Sequence, residues 1–499
     1  MKKVVVVGGG INGLVSANYL IKGGYDVTII EKKEFTGGAC IKDSKTIDGK
    51  NIDFAYGATV LGMMPEFIFK ETGLSKEIVG FYPKTPKLVY FKNEQASTKI
   101  FQDSNKLEKE LKNKWGEEGR INDFRNDENK VIRFIQKIYK DAITPTTELA
   151  YEELGKELSD LWIFGTAKNL LDHYFTSEKS KLYMGMTVIE SGPASIYDPG
   201  TAFTIPLMDS GSVFDGYWGF VKTGIWKIAE NLTNINLSLG VKINLNSSIS
   251  KVDTQSKLIS YTKDQNKIKL NYDHLIFATD PVTPSKLIKD FKQDIELDEI
   301  GTSGKVTAFF RNPVIWKDSN NYPDSFRFIF SNNSLSQFEN ASQNALKNSG
   351  DYFAGFIQIY PDGSAQRTMN NKEAYDKIIL FTKNLSYDKK ADDLDKIKDE
   401  IINTVLPYIE NADDLVYSKF LTPKDLNETF SFPKGNIDHI TLTGKQNYNK
   451  RTFSNNPNNF YSYFDFHDVY YCGAGSFPCG SVAGTAGYMC SKQLIRNDR

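Results

Sequence analysis

Residues 3–31 read KVVVVGGGINGLVSANYLIKGGYDVTIIE. Val4 to Val7 are continuous and β-branched, the pattern of a strand buried on both faces. Gly8, Gly10 and Gly13 follow as G-x-G-x-x-G. Leu14, Ala17 and Ile21 then recur on one helical face, which Gly23-Gly24 ends. Val27 to Ile30 read as a second strand with Glu31 at its tip. Strand, glycines, helix, strand and acid in this order predict a dinucleotide-binding βαβ unit. Gly8 permits the tight turn, Gly10 lets the backbone approach a pyrophosphate, and Gly13 lets the helix pack close to the strand. The pyrophosphate sits on the positive end of the helix, beside Ile11 and Asn12. The Glu31 carboxylate accepts hydrogen bonds from a ribose 2′-OH and disfavours a 2′-phosphate.

Gly37-Gly38-Ala39-Cys40 follow the acidic tip. A second Gly-Gly at this place resembles the extended FAD fingerprint of the glutathione-reductase structural class. The resemblance implies FAD, with Gly37, Gly38 and Ala39 among its contacts. The disulfide reductases of that class place C-x4-C here. Cys40 has no such partner, so a dithiol mechanism is not expected, and Cys40 reads as a small buried residue beside the flavin. Lys32 and Lys33 stand in for the arginine that often precedes the second Gly-Gly, with less specific charge. Gly211, Gly216 and Gly219 have the wrong spacing for a second dinucleotide fingerprint, so no dedicated NAD(P)H site is expected.

Residues 468–487 read DVYYCGAGSFPCGSVAGTAG. This resembles the C-terminal flavin-binding segment of the phytoene-desaturase-like flavoproteins of the amine-oxidase superfamily. There a strand (here Val469 to Tyr471) runs into Gly-Ala-Gly, then Pro-Gly-Gly, then a helix. The resemblance implies that Gly473, Gly475, Gly480, Ser481 and Val482 contact the flavin. A helix beginning near Val482 or Ala483 would aim its N–H groups at the flavin N1/O2 edge. The family's Pro-Gly-Gly is Pro478-Cys479-Gly480 here. Two readings of Cys479 stay open: inert packing, or a thiol that tunes or attacks the flavin.

Internal segments resemble the same family. Gly240 to Val252 is similar to the strand pair that holds the adenine, with Ile249 at the contact. Tyr272 to Pro281 is similar to the strand returning to the nucleotide domain. Residues 422–426 (TPKDL) and 435–439 (GNIDH) are similar to a stretch of the phytoene-dehydrogenase-like branch with pyridine-nucleotide-disulfide-oxidoreductase-like names. Residues 172–226, with Tyr217-Trp218-Gly219-Phe220, have that branch's character as well.

The chain has 499 residues, 40% hydrophobic and 25% charged, which predicts two closely packed domains. Lys and Arg number 61 against 62 Asp and Glu, so nothing calls for a nucleic-acid partner. The four cysteines form neither a disulfide framework nor a zinc spacing. Met1-Lys2-Lys3 and the four valines imitate a secretory signal, but the apolar stretch is too short. A cytoplasmic protein, with peripheral membrane contact left open, is the expectation. No metal site is expected, and the oligomeric state stays open.

The expected fold class is α/β: a glutathione-reductase-type Rossmann FAD-binding domain (1–95, 215–300 and 440–499) interleaved with an α+β substrate-binding domain (96–214 and 301–439). Leu107, Leu111 and Trp115, and likewise Leu394, Ile397, Ile401 and Val405, recur at helical spacing. Val306 to Phe310 and Phe353 to Tyr360 read as strands roofing the flavin.

Of the four histidines, His274 reads as structural, and His173 and His467 have no supporting context. His439 lies in a family-like segment and is the candidate substrate-side acid/base or orienting group, against a hydrogen-bonded structural histidine. Lys305 resembles the lysine with which amine-oxidase-like flavoproteins hold a water at flavin N5, against an ordinary edge-strand lysine. Tyr217, Trp218 and Tyr488 are candidate aromatic walls. The family implies an FAD-dependent oxidoreductase moving a hydride between a hydrophobic small molecule and flavin N5, reoxidised by O2 or a quinone. An amine or amino-acid oxidase producing H2O2 and a non-catalytic flavin-binding protein are the alternatives.

Overall fold

The computed structural model describes residues 1–498 except Gln95, Ser191, Ser319, Asn320, Asn321 and Lys372, with only the backbone of Ala391. The opening strand spans Lys3–Val7 and the helix after it Ile11–Lys22. The strand is central in a five-stranded parallel sheet ordered Val469–Tyr471, His274–Phe277, Lys3–Val7, Asp26–Ile30, Lys242–Asn244. Val4, Val5 and Val6 are buried to within 1%, as a strand covered on both faces must be. This is the expected Rossmann-type α/β architecture. Its strands come from three distant stretches of chain, and the predicted return strand pairs in register, Val4 with His274 and Val7 with Phe277.

The helix Ile11–Lys22 is wedged between two others, Trp226–Ser238 and Thr485–Asn497. Gly487 sets one distance: a Cβ there would lie 2.1 Å from the Asn12 carbonyl oxygen. On the other side Asn18 Nδ2 donates to Asn236 Oδ1 at 3.0 Å, and Asn236 Nδ2 donates to the Leu14 carbonyl at 2.8 Å. All of this is buried, so these amide donors must find their acceptors within the protein.

A seven-stranded sheet forms the second layer, ordered Leu415–Leu421, Gly304–Phe310, Asp376–Thr382, Phe356–Tyr360, Arg327–Phe330, Lys87–Phe91, Thr98–Ile100. Its pairs are antiparallel except Arg327–Phe330 with Lys87–Phe91. The nucleotide-side range 1–95 therefore extends too far, because Lys87–Phe91 is hydrogen-bonded into the second sheet. The strand read from Phe353 begins at Phe356, since Gly355 at φ +76° turns the chain just before it. The two amphipathic helices form as read, over Ser104–Trp115 and Ala391–Val405. Each packs one apolar face, with Leu107 and Leu111 at 0% exposure and Ile401 at 1%. No helix among the described residues is long and apolar enough to cross a membrane.

The buried amide chain gives a direct test of this packing. Asn236→Ala strands one buried Asn18 donor and removes the second donor from the Leu14 carbonyl, and should cost about 1–3 kcal/mol in urea denaturation. A change below about 0.5 kcal/mol would show that the amides are incidental.

Candidate active site

A cavity of about 450 Å³ runs from the end of the first strand to the C-terminal turn. Gly8, Gly10, Ile11, Asn12, Glu31, Lys32, Gly37, Gly38 and Ala39 line one end, with Ile249 beside them. Gly480, Ser481, Val482, Lys305 and His439 line the remainder. Residues from six separate stretches of sequence thus meet around one space. Gly13, Gly473 and Gly475, read as cofactor contacts, are not on its wall. Their missing side chains serve protein packing: a Cβ would lie 2.1 Å from the Gly8 oxygen at Gly13, 2.0 Å from the Thr279 oxygen at Gly473, and 2.9 Å from the Tyr471 hydroxyl at Gly475.

Gly10 behaves differently, and it provides the test of cofactor fit. Its φ of −70° suits any residue, and a Cβ there would meet no protein atom nearer than Gly38 Cα at 3.9 Å. Nothing in the protein requires glycine at this position. The space a side chain would take belongs to the cavity, at the helix N-terminus where an anion is favoured. Beside it, Glu31 accepts from the Gly9 N–H at 2.7 Å and the Lys33 N–H at 2.9 Å. These bonds orient the carboxylate and leave acceptor capacity for ribose hydroxyls. The residues present fit FAD.

The C-terminal turn departs from the expectation. The helix starts at Thr485, not near Val482, because Ser481 (φ 59°), Val482 (φ 58°) and Gly484 (φ 72°) hold left-handed conformations. A β-branched residue in that region is uncommon and costs about 1–3 kcal/mol, a kind of strain that clusters at ligand sites. The turn is fastened from behind. Gly480 N–H donates to Asp438 Oδ1 at 2.8 Å. The buried Arg451 guanidinium donates to the carbonyls of Asp438 (2.9 Å), Ile440 (3.2 Å), Gln446 (3.1 Å) and Ala474 (2.9 Å). Arg451 carried no sequence signal, and Asp438 was not singled out within the family-like segment 435–439, because their roles depend on a loop closing against the C-terminal segment.

Lys305 lines the cavity, but its ammonium is already engaged. Nζ donates to the Ala55 carbonyl at 2.6 Å and the Gly57 carbonyl at 2.9 Å, and lies 3.2 Å from Thr59 Oγ1. These three bonds tie the side chain to segment 55–59, an anchoring role that the sequence did not show. Burial lowers this lysine to about 7. His439 is also buried, and burial lowers it to about 4 against the opposing pull of Asp280. The imidazole is therefore neutral at neutral pH. It faces the cofactor cavity and not the second chamber described below, so it is not placed as a substrate-side acid.

Cys40 is buried, donates to the Ile225 carbonyl at 3.1 Å, and is raised by burial to about 12. Cys479 turns its sulfur to Met63 Sδ at 3.8 Å, away from the cavity wall, and burial pushes its thiol up as well. This is the geometry of a packed thiol. Tyr488 is likewise no flavin wall: it packs edge-on to Tyr19 (4.8 Å) and Phe67 (5.0 Å) in the core.

A second chamber, about 750 Å³, opens beside the first and shares Glu190, Trp218 and Tyr360 with it. Trp218 sits tightly on Gly62, where a Cβ would be 2.1 Å from the indole, and Nε1 donates to the Met208 carbonyl at 3.1 Å. Lys383, fully buried and lowered to about 8 by burial, donates to the Glu190 carbonyl at 2.9 Å. It also ion-pairs with Glu190 Oε2 at 3.2 Å, at an angle short of a hydrogen bond. The sequence reading had Trp218 as a wall and missed Glu190, Lys383 and Tyr360, which stand in no motif. The chamber's wall is charged as well as aromatic: Lys87, Arg125, Glu128 and Asp209 all face into it.

Such a site on such a fold defines an FAD-dependent oxidoreductase. The model of the flavin containing amine oxidoreductase family matches residues 11–369, and the chain belongs to that family. Among curated proteins it is similar to the 4,4'-diapophytoene desaturase (4,4'-diaponeurosporene-forming) of Staphylococcus aureus (strain COL). That likeness is 25% identity over 520 aligned positions, covering 96% of this chain and 95% of the relative. The 4,4'-diaponeurosporene oxygenase of Staphylococcus haemolyticus (strain JCSC1435) is 20% identical, with 89% and 88% covered. Among solved structures, cyclohexylamine oxidase from Brevibacterium oxydans IH-35A shares the fold, with a TM-score of 0.61 at 12% identity over 99% of this chain and 98% of that one.

The two kinds of glycine separate experimentally. Gly13→Ala forces overpacking and should lower stability by about 1–3 kcal/mol. Gly10→Ala should leave the melting temperature of the flavin-free protein unchanged while FAD affinity falls at least about tenfold. Equal FAD affinity for Gly10→Ala and wild type would contradict the assignment of that space to the cofactor.

Proposed function

We propose that the chain exchanges a hydride between bound FAD and a small molecule held in the second chamber, the reacting C–H bond lying at the Glu190–Trp218–Tyr360 junction. The observation that carries this reading is the shared wall: two chambers, one fitting a dinucleotide, meet at three side chains. FAD, when bound, supplies the two-electron acceptor or donor. The protein's part is positioning, exclusion of water and handling of the proton. Trp218, pinned by its seat on Gly62, fixes the substrate's approach. The Glu190 carboxylate takes the proton released as the substrate is oxidised, with Lys383 behind it holding the local charge. Lys305 and Arg451 keep the two sides of the cofactor cavity in place, and His439, neutral and buried, is a packing element of its wall. Electrons leave to O2 or to a quinone at a membrane surface.

Anaerobic mixing with panels of amines, amino acids and apolar polyenes tests the reading. One panel should bleach the flavin absorbance. Glu190→Gln should slow that bleaching by about 10²-fold or more with FAD content unchanged. Bleaching that Glu190→Gln leaves at the wild-type rate would remove Glu190 from the mechanism. Failure of every panel would favour the non-catalytic alternative.

A further inference from the structure

The second chamber holds more charge than the chemistry at the junction requires. Lys87 opens the strand Lys87–Phe91. Arg125 and Glu128 lie nearly one turn apart on the helix Ile121–Asp141, and Asp209 caps the helix Thr204–Met208. Three elements thus direct four ionisable groups into one chamber. Arg125 and Glu128 satisfy each other, Nη1 to Oε2 at 2.7 Å.

The other two groups have no such partner. Among the described residues the Asp209 carboxylate accepts no hydrogen bond and forms no ion pair, and Lys87 forms no ion pair and has the Tyr183 hydroxyl as its neighbour. Each lies in the other's field without contact. Burial raises Asp209 against the lowering effect of Lys87 and Arg125. Burial lowers Lys87, but Tyr183 and Asp209 more than offset it.

Lys87 and Asp209 are each half-buried and open to solvent through the chamber. A ligand that fills the chamber removes that solvation, which costs several kcal/mol per ion left unpaired. A structural cluster would bring Lys87 and Asp209 together. Here both line the chamber without touching each other, and the remaining wall includes Tyr183, Tyr217, Phe326 and Phe328. A neutral polyene would strip water from both ions and return nothing. A simple amine would leave Lys87 unpaired, and a simple carboxylate would leave Asp209 unpaired. A ligand of zero net charge with two opposite poles satisfies both. Exposed Arg133 and Asp215 also line the chamber.

We infer that the second chamber binds a small zwitterion, its ammonium on Asp209, its carboxylate on Lys87, and its carbon skeleton against the aromatic wall. This names the substrate class for the reaction proposed above, and it rests on that reading for calling the chamber the substrate site.

Calorimetric titration of the FAD-loaded protein at low ionic strength tests it. The probes are glycine, 4-aminobutyrate and 6-aminohexanoate, with hexylamine and hexanoate as single-pole controls. At least one zwitterion should bind about tenfold or more tighter than either control. Lys87→Met should reduce it to the level of hexylamine, and Asp209→Asn to the level of hexanoate, with melting temperatures showing that both variants fold. No binding by any zwitterion, or a control that matches the best of them, overturns the inference, and so does unchanged affinity in both variants. The comparison among ligands on the wild-type protein decides the matter even if a variant fails to fold. Saturable zwitterion binding to flavin-free and flavin-loaded protein alike, with no bleaching, would keep this inference and sink the hydride-transfer reading. Bleaching by a ligand indifferent to Lys87 and Asp209 would do the reverse.

Discussion

The contact on which the molecule depends is the one between Gly13 and the Gly8 carbonyl, where a single methyl group would lie 2.1 Å from the oxygen. Because nothing stands between them, the helix Ile11–Lys22 starts directly off the central strand and points its free N–H groups into the cavity. The helix in turn sets the position of the C-terminal helix through Gly487 against Asn12, and of Trp226–Ser238 through the Asn18–Asn236 amides. The C-terminal turn at Ser481–Val482 is delivered to the far end of the cofactor cavity by that same helix. One close approach thus propagates to both ends of the site.

The remaining order in the site comes from charges buried and tied to backbone. Arg451 gathers four carbonyls, Asp438 holds the Gly480 N–H, and Lys305 bridges Ala55 and Gly57. Each of these carbonyls and amides would be costly to bury alone. Leaving a buried guanidinium without its acceptors would be costlier still. The arrangement converts irregular loops into fixed walls, which a cofactor and a substrate need if they are to meet at a set distance.

What the sequence made legible was local. The G-x-G-x-x-G with its acid at Glu31, the second Gly-Gly at Gly37-Gly38, the return strand ending at Phe277 and the glycine-rich C-terminal segment each occupy one short window, and each has a spacing with one physical meaning. The roles of single residues were less legible. Gly473 and Gly475 look like cofactor glycines in sequence and are packing glycines in space. Lys305 carries the expected residue type, yet its donors are taken by carbonyls some 250 residues away in the chain. His439 lies in a recognisable segment, but burial takes away its proton. The charged chamber had no sequence signature at all, because Lys87, Arg125 and Asp209 come together only when the second sheet and the helical layer close over one another. Long-range convergence of ordinary charged residues is invisible to spacing rules.

The central claim is that the cavity is built for a whole dinucleotide, with the adenine half held near Glu31 and Ile249 and the flavin half near the C-terminal turn. Titration of the flavin-free protein with FAD, and separately with FMN, tests it most directly through quenching of flavin fluorescence. The account predicts saturation with FAD at one per chain and at least about a hundredfold weaker binding of FMN, which lacks the adenosine end. Equal affinity for FMN, or no uptake of FAD, would contradict it.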